Sequence, residues 1–193
     1  MPSAALQEWS TVRAASLDEV ENAHRSVGGT GPGRRYATQQ INQAYAVLLS
    51  SHFQAFSRDL HTECVNFLVA PVPSLDLREM NRASLVFNRK LDRGNPNPGN
   101  IGSDFNRLQL QFWAAVDAHR PANPSRRILL EELNEWRNAI AHQDFAPAML
   151  RSGRPALQLA QVQGWRKVCE GLAQSFDEVL HAYIQVKTGT APW

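Results

Sequence analysis

Between Arg35 and Ala70 the apolar residues Ile41, Tyr45, Leu48, Leu49, Phe53, Phe56, Leu60, Cys64, Phe67 and Leu68 recur mostly at steps of three and four. That is the period of one face of an α-helix. Pro71 and Pro73 follow and cannot continue it. At 1.5 Å per residue such a helix is about 50 Å long, so a kink or break is expected within it. No stretch alternates apolar and polar residues with the period of two that a strand requires over more than a few residues. A long apolar rod with no strands to cover it must be covered by helices. The expected fold class is therefore all-α, an up-down bundle of about five to seven helices.

The remaining helices are read from the same period and from their caps. An amphipathic stretch runs from about Ala4 to Val27, where Ser16 with Glu19 reads as a capping box. Gly28-Gly29-Thr30-Gly31-Pro32-Gly33 then forms a joint, which divides the chain into an N-terminal helical extension, residues 1–33, and a main domain, residues 34–193. Ser74 caps a helix through about Lys90 that carries Leu75, Met80, Leu85 and Phe87. Asp92 to Asn100, rich in Asn, Pro and Gly, reads as a loop without helical capacity. Ser103 or Asp104 caps the next helix, through about His119, and Ser125 caps another to about His142. Phe145 to Pro155 is irregular, and a last amphipathic helix covers about Leu159 to Lys187.

Composition narrows the class of protein more than its function. At 193 residues, one domain with an appendage is expected. Hydrophobic residues make up 43% and charged residues 20%, close to globular averages, so wholesale disorder is excluded. Cys64 and Cys169 are the only cysteines, which leaves no disulfide framework or Cys-rich zinc site and suits a reducing cytosol. No apolar run approaches a membrane span, and the N-terminus lacks the pattern of a signal peptide, so a cytoplasmic protein is expected. A net charge of +2 does not announce a nucleic-acid binder. Of the 20 cationic residues only Lys90, Lys167 and Lys187 are lysines. Arginine forks match phosphate bidentately, but arginine-rich coding accounts for the same bias.

The segment with the most chemistry is Glu135-Trp136-Arg137-Asn138-Ala139-Ile140-Ala141-His142. On a wheel of about 100° per residue, Leu129, Leu133, Trp136 and Ile140 form an apolar stripe. Asn134, Asn138, Ala141 and His142 fall opposite, with Arg137 on the shoulder. Imidazole moves protons near neutral pH, guanidinium holds phosphate and its growing charge, and an amide orients either. RNA brings its own nucleophile, the 2′-hydroxyl, so these groups suffice for its cleavage without a metal. The same residues also fit a helix C-terminus, where arginine and histidine are favoured by the macrodipole.

Arg137-Asn138-Ala139-Ile140-Ala141-His142 resembles the signature of HEPN domains (higher eukaryotes and prokaryotes nucleotide-binding). That signature is an Arg, a polar residue, and a His after four to six intervening residues; here four intervene and Asn138 is the polar residue. Ala141 before His142 fits, and so does a late motif helix followed by an irregular stretch and a closing helix. Asn95 to Ile101, leading into Phe105, is similar to the mid-domain loop of some bacterial members. The resemblance covers about residues 36–188. It implies a helical bundle that forms a homodimer through the motif helix, and a metal-independent endoribonuclease with no cofactor. Paired Arg137 and His142 from two protomers would form its catalytic cleft, with Asn138 as the polar member. It further implies a toxin or antiphage setting with RNA as substrate and an antitoxin or activating protein as partner. Some members are neutralised by modification of a Tyr two residues after the His; here that position is Asp144.

Other candidates are plainer. Arg93, Arg126 and Arg127, with Arg89, flank the Asn/Pro loop and the start of the motif helix. They are positioned either to guide RNA phosphates or to form a solvated face. His52, His61 and Glu63 lack the downstream cysteines of zinc deaminases. Cys64 and Cys169 lie on apolar stripes as buried thiols, and Trp9, Trp113, Trp136 and Trp165 take core spacing. Two other readings of the motif remain: a non-catalytic HEPN-like module that binds nucleotide, RNA or protein within a defence complex, and a scaffold in which Arg137 and His142 only cap and pair.

Overall fold

Tyr36–Val69 forms a single unbroken helix, α3, so the expected kink is absent. Its buried residues lie on more than one side, among them Tyr45, Leu49, Phe53, Phe56, Leu60 and Val65. The reason is that α3 is the axis of the molecule. It is flanked by α1 (Ala4–Glu8), α2 (Ala14–Gly28), α4 (Leu75–Val86), α7 (Asn123–His142) and α8 (Leu159–Thr188). A helix covered nearly all round has no solvent face along which to curve or break. This is a computed structural model, and it describes residues 1–28, 36–145 and 156–193. Every regular element among them is helical, as expected for an all-α bundle. None of these helices is long and apolar enough to cross a membrane.

Phe176 of α8 is the hub of the core. Its ring centroid lies 4.8 Å from Phe112, 5.5 Å from Trp113, 5.9 Å from Phe53, 6.3 Å from Phe105 and 6.5 Å from Phe56. These rings come from α3, from α5 (Pro98–Asn106) and from α6 (Phe112–His119), so a single side chain ties three other elements to α8. The N-terminal helices are held by polar contacts. Glu63 accepts the backbone N–H groups of Ala4 and Ala5, and Asp177 accepts that of Ser3 and the indole N–H of Trp193. Further along, Arg166 bridges Asp18, Glu21 and Glu170.

Several local expectations are corrected. Ser16 is not a cap: the helix runs from Ala4 to Gly28 with only a π-helical turn at Trp9–Arg13, and the Ser16 hydroxyl lies beside His52. The helix from Ser74 ends at Val86, and none of its residues is buried, because among the described residues α3 is the only other helix it packs against. The Asn/Pro segment does have helical capacity, since Asn97 caps α5 and Pro98 opens it. Neither Ser103 nor Asp104 caps a helix there. The Asp104 carboxylate instead accepts the N–H groups of Lys90 and Leu91. A left-handed Gln109 (φ 61°) divides the expected helix into α5 and α6. Nor does Ser125 cap α7, which starts at Asn123 with Pro124 in its first turn. The glycine joint beyond Gly28 and the irregular stretch from 146 to 155 lie outside the described residues.

His61 is completely buried between α3 and α5. Its Nε2 faces the Asp104 carbonyl at 3.1 Å, and its Nδ1 faces Arg89 Nη1 at 3.4 Å. Burial, then the Arg89 charge, push its pKa down to about 4, despite the opposing Asp104 carbonyl and Asp92 charge. The folded protein therefore keeps His61 neutral while the unfolded chain protonates it below about pH 6.5. This contribution is complete above that pH and is lost as pH falls towards about 4, by roughly 3 kcal/mol in total. Urea unfolding at several pH values should show a steeper acid loss for the wild type than for His61→Gln. Parallel curves would refute the assignment.

Candidate functional site

α7 carries the motif because it is anchored on three sides. Trp136 packs near Trp165 of α8, with centroids 6.3 Å apart, while Leu130, Leu133 and Ala139 are buried. The helix closes at His142, where Gln143 takes a left-handed conformation (φ 54°) and the Asp144 N–H reaches back to the Ala139 carbonyl.

The wheel is corrected at two positions. Leu129 is 38% exposed and Leu130 is buried in its place. Asn134, expected opposite the core, is buried within it. Its Oδ1 accepts from the Ser50 hydroxyl, and its Nδ2 donates to the carbonyls of Pro96 (3.2 Å) and Leu130 (2.8 Å). An amide is tolerated here because Ser50 of α3 and the Pro96 carbonyl satisfy it from opposite sides. The side of α7 left open by the wheel is thus covered by the Asn/Pro segment.

That segment also holds the motif. Asn138 Oδ1 accepts from Arg137 Nη1 at 3.2 Å and from Asn95 Nδ2 at 3.0 Å. Asn95 Oδ1 accepts from Asn97 Nδ2, and the Asn95 carbonyl accepts from Asn100 Nδ2. Trp113 Nε1 donates to the Pro98 carbonyl and pins the far end. Arg137 and Asn138 are half-buried in this chain of amides. His142, one turn beyond Asn138, is exposed and makes no hydrogen bond to another described residue. The arrangement offers a fixed guanidinium and amide one turn before a solvent-exposed imidazole. Asp144 is exposed close to His142 in the chain and has contacts of its own.

The three flanking arginines have different fates. Arg126 Nη1 donates to Asn123 Oδ1 at 3.0 Å. Its guanidinium packs so closely on Gly171 that a Cβ there would lie 2.4 Å from Cζ. Arg127 pairs with Asp117 at 2.9 Å and lies 5.4 Å over the Trp113 ring. Arg93 is exposed and forms no ion pair with another described residue. Cys64 and Cys169 are buried, and burial pushes both thiols up, out of reach of nucleophilic chemistry. Among the described residues no group of three or more His, Cys, Asp or Glu is placed to hold a metal ion.

The residues that sequence reasoning missed are Asn134 and Ser50, and their signal was faint. An asparagine four residues before Asn138 on the same ridge looks like a solvated position until its partners from α3 and the Pro96 carbonyl are known. No family model, curated protein or solved structure matches the chain.

Proposed function

We propose that the protein is a HEPN-like, metal-independent endoribonuclease that works in the cytoplasm as a homodimer, in the setting of a toxin or antiphage effector. The observation that carries this reading is the end of α7, where exposed His142 follows a guanidinium and an amide already fixed by Asn95. A histidine that only capped its helix would be expected to spend its ring on the local carbonyls.

The chemistry follows from the groups. One His142 takes the proton from a 2′-hydroxyl, and the oxygen attacks the adjacent phosphorus. The bond from phosphorus to the 5′-oxygen breaks, leaving a 2′,3′-cyclic phosphate. The partner's His142 protonates the departing 5′-oxygen. Arg137 balances the charge that grows on the phosphoryl oxygens. A twofold arrangement of α7 supplies the second imidazole. Support for such a contact is the apolar exposure on the same helix: Ile128 is 54% exposed and sits on the ridge that reaches His142 by steps of seven.

One observation favours the alternative, a non-catalytic module for nucleotide, RNA or protein within a defence complex. Asn138 Oδ1 is already satisfied by two donors, which suits holding a surface as well as turning over a substrate. Cleavage assays on total RNA and tRNA in excess EDTA separate the two. The nuclease reading expects cyclic-phosphate ends from a dimer, with loss of cleavage in Arg137→Ala. Intact RNA from a folded dimer would favour the binding module, and a monomer at working concentration would overturn the paired site.

A further inference from the structure

We propose that Lys90 and Arg93 form a phosphate subsite for the single-stranded RNA backbone next to the motif; this rests on the RNA reading above. After α4 the chain turns at Asn88, which takes a positive φ of 58°, and then makes a 3-10 turn at Lys90–Asp92. Lys90 opens this turn, and Arg93 follows it as the C-cap residue. Together with Asn88, Arg89, Gly94 and Asn100 they line a recess of about 310 Å³.

The recess is positive because its acids are spent elsewhere. Asp92 lies between the two cations in sequence, but its carboxylate takes the fork of Arg89 at 3.0 and 3.3 Å. Arg89 itself points inward, donating to the Thr62 hydroxyl and the Arg58 carbonyl. Asp104 is consumed by two backbone N–H groups. Lys90 and Arg93 are left exposed without an ion pair to another described residue. Elsewhere Arg13, Arg82, Arg120, Arg127 and Arg166 each hold a carboxylate. What sets this wall apart is that two unneutralised cations, Lys90 and Arg93, line the same recess, and their natural complement is an anion.

Shape and place select the anion. The recess is open, polar and without the enclosing apolar walls that bury a small molecule. It suits one group of a polymer that continues past both edges. Arg93 precedes Asn95 by two residues, at most about 7 Å of chain. Asn95 touches Asn138, and Asn100 on the recess wall donates to the Asn95 carbonyl. A strand with one phosphate at Arg137 would pass the recess with another.

The test is fluorescence anisotropy with a short labelled 2′-O-methyl oligonucleotide, which has no 2′-hydroxyl to attack and so reports binding alone. The wild type, Lys90→Ala/Arg93→Ala and Lys187→Ala proteins are compared across salt concentrations, with circular dichroism showing that each is folded. Losing two phosphate contacts is expected to reduce the slope of log K against log salt by about 1.4 per protomer. Lys187→Ala, which removes an exposed cation on the last helix, should keep the wild-type slope. Inorganic phosphate at matched ionic strength should not displace the oligonucleotide; displacement would make the recess a free-phosphate site and overturn the strand reading. An unchanged slope in the double variant, or no binding by the wild type, also overturns the subsite. A protein that cuts RNA with its slope unchanged keeps the nuclease reading and loses the subsite. One that binds as expected yet cuts nothing keeps the subsite and loses the nuclease.

Discussion

Phe176→Ala is expected to cost about 3–5 kcal/mol of stability, at the upper end for a single truncation. The ring is fully buried and meets five aromatic neighbours from three other helices, so its removal leaves a cavity whose walls belong to separate elements. Such walls cannot close by a single side-chain adjustment. For a domain of this size the melting temperature should fall by roughly 10 °C. Phe176→Leu, which refills most of the volume, should cost much less. Thermal and urea unfolding followed by circular dichroism gives both numbers. A loss near that of a surface substitution would mean that the ring is not the hub described. The effect also reaches the site, because Phe105 and Trp113 belong to the helices that hold the Asn/Pro segment in place.

The second large effect is on activity. His142→Ala is expected to lower the single-turnover rate of RNA cleavage by about 10²–10⁴-fold, the usual contribution of a positioned proton-transfer group. Stability should change by no more than about 0.5 kcal/mol, because His142 is exposed and has no hydrogen bond to another described residue. These two outcomes belong together. A large loss of rate with an unchanged melting curve marks a group that acts on substrate. A loss of rate that follows a loss of stability marks a helix cap, and an unchanged rate removes the imidazole from the chemistry.

Much of the fold was legible because helix period and proline stops are local. The bounds of α3 and α8 lie within a residue or so of those expected from their apolar steps. The motif helix was also legible at its C-terminal end and in the exposure of His142. What failed depended on residues distant in sequence. Asn134 is inside because Ser50 and the Pro96 carbonyl come to it. Arg126 is half-buried because Gly171 leaves room for a guanidinium, and Arg127 finds Asp117 and an indole face on α6. A single-helix wheel carries no information about such partners. The start of α5 is a different kind of miss. Asparagine at the cap and proline at the first helical position are a start signal, obscured by the run of turn-forming residues around them.

The amide network between α7 and the Asn/Pro segment has a further consequence. Ser50, Asn95, Asn97, Asn100, Asn134 and Asn138 have no proton to gain or lose in ordinary buffers. Their hydrogen bonds offer counterions almost nothing to screen. The aim of the motif is therefore set by neutral groups, whereas in the proposed subsite the grip on a strand would be set by exposed cations at the recess. Ionic strength would then act as a dial on how often substrate is captured, leaving the alignment of a captured strand as it was.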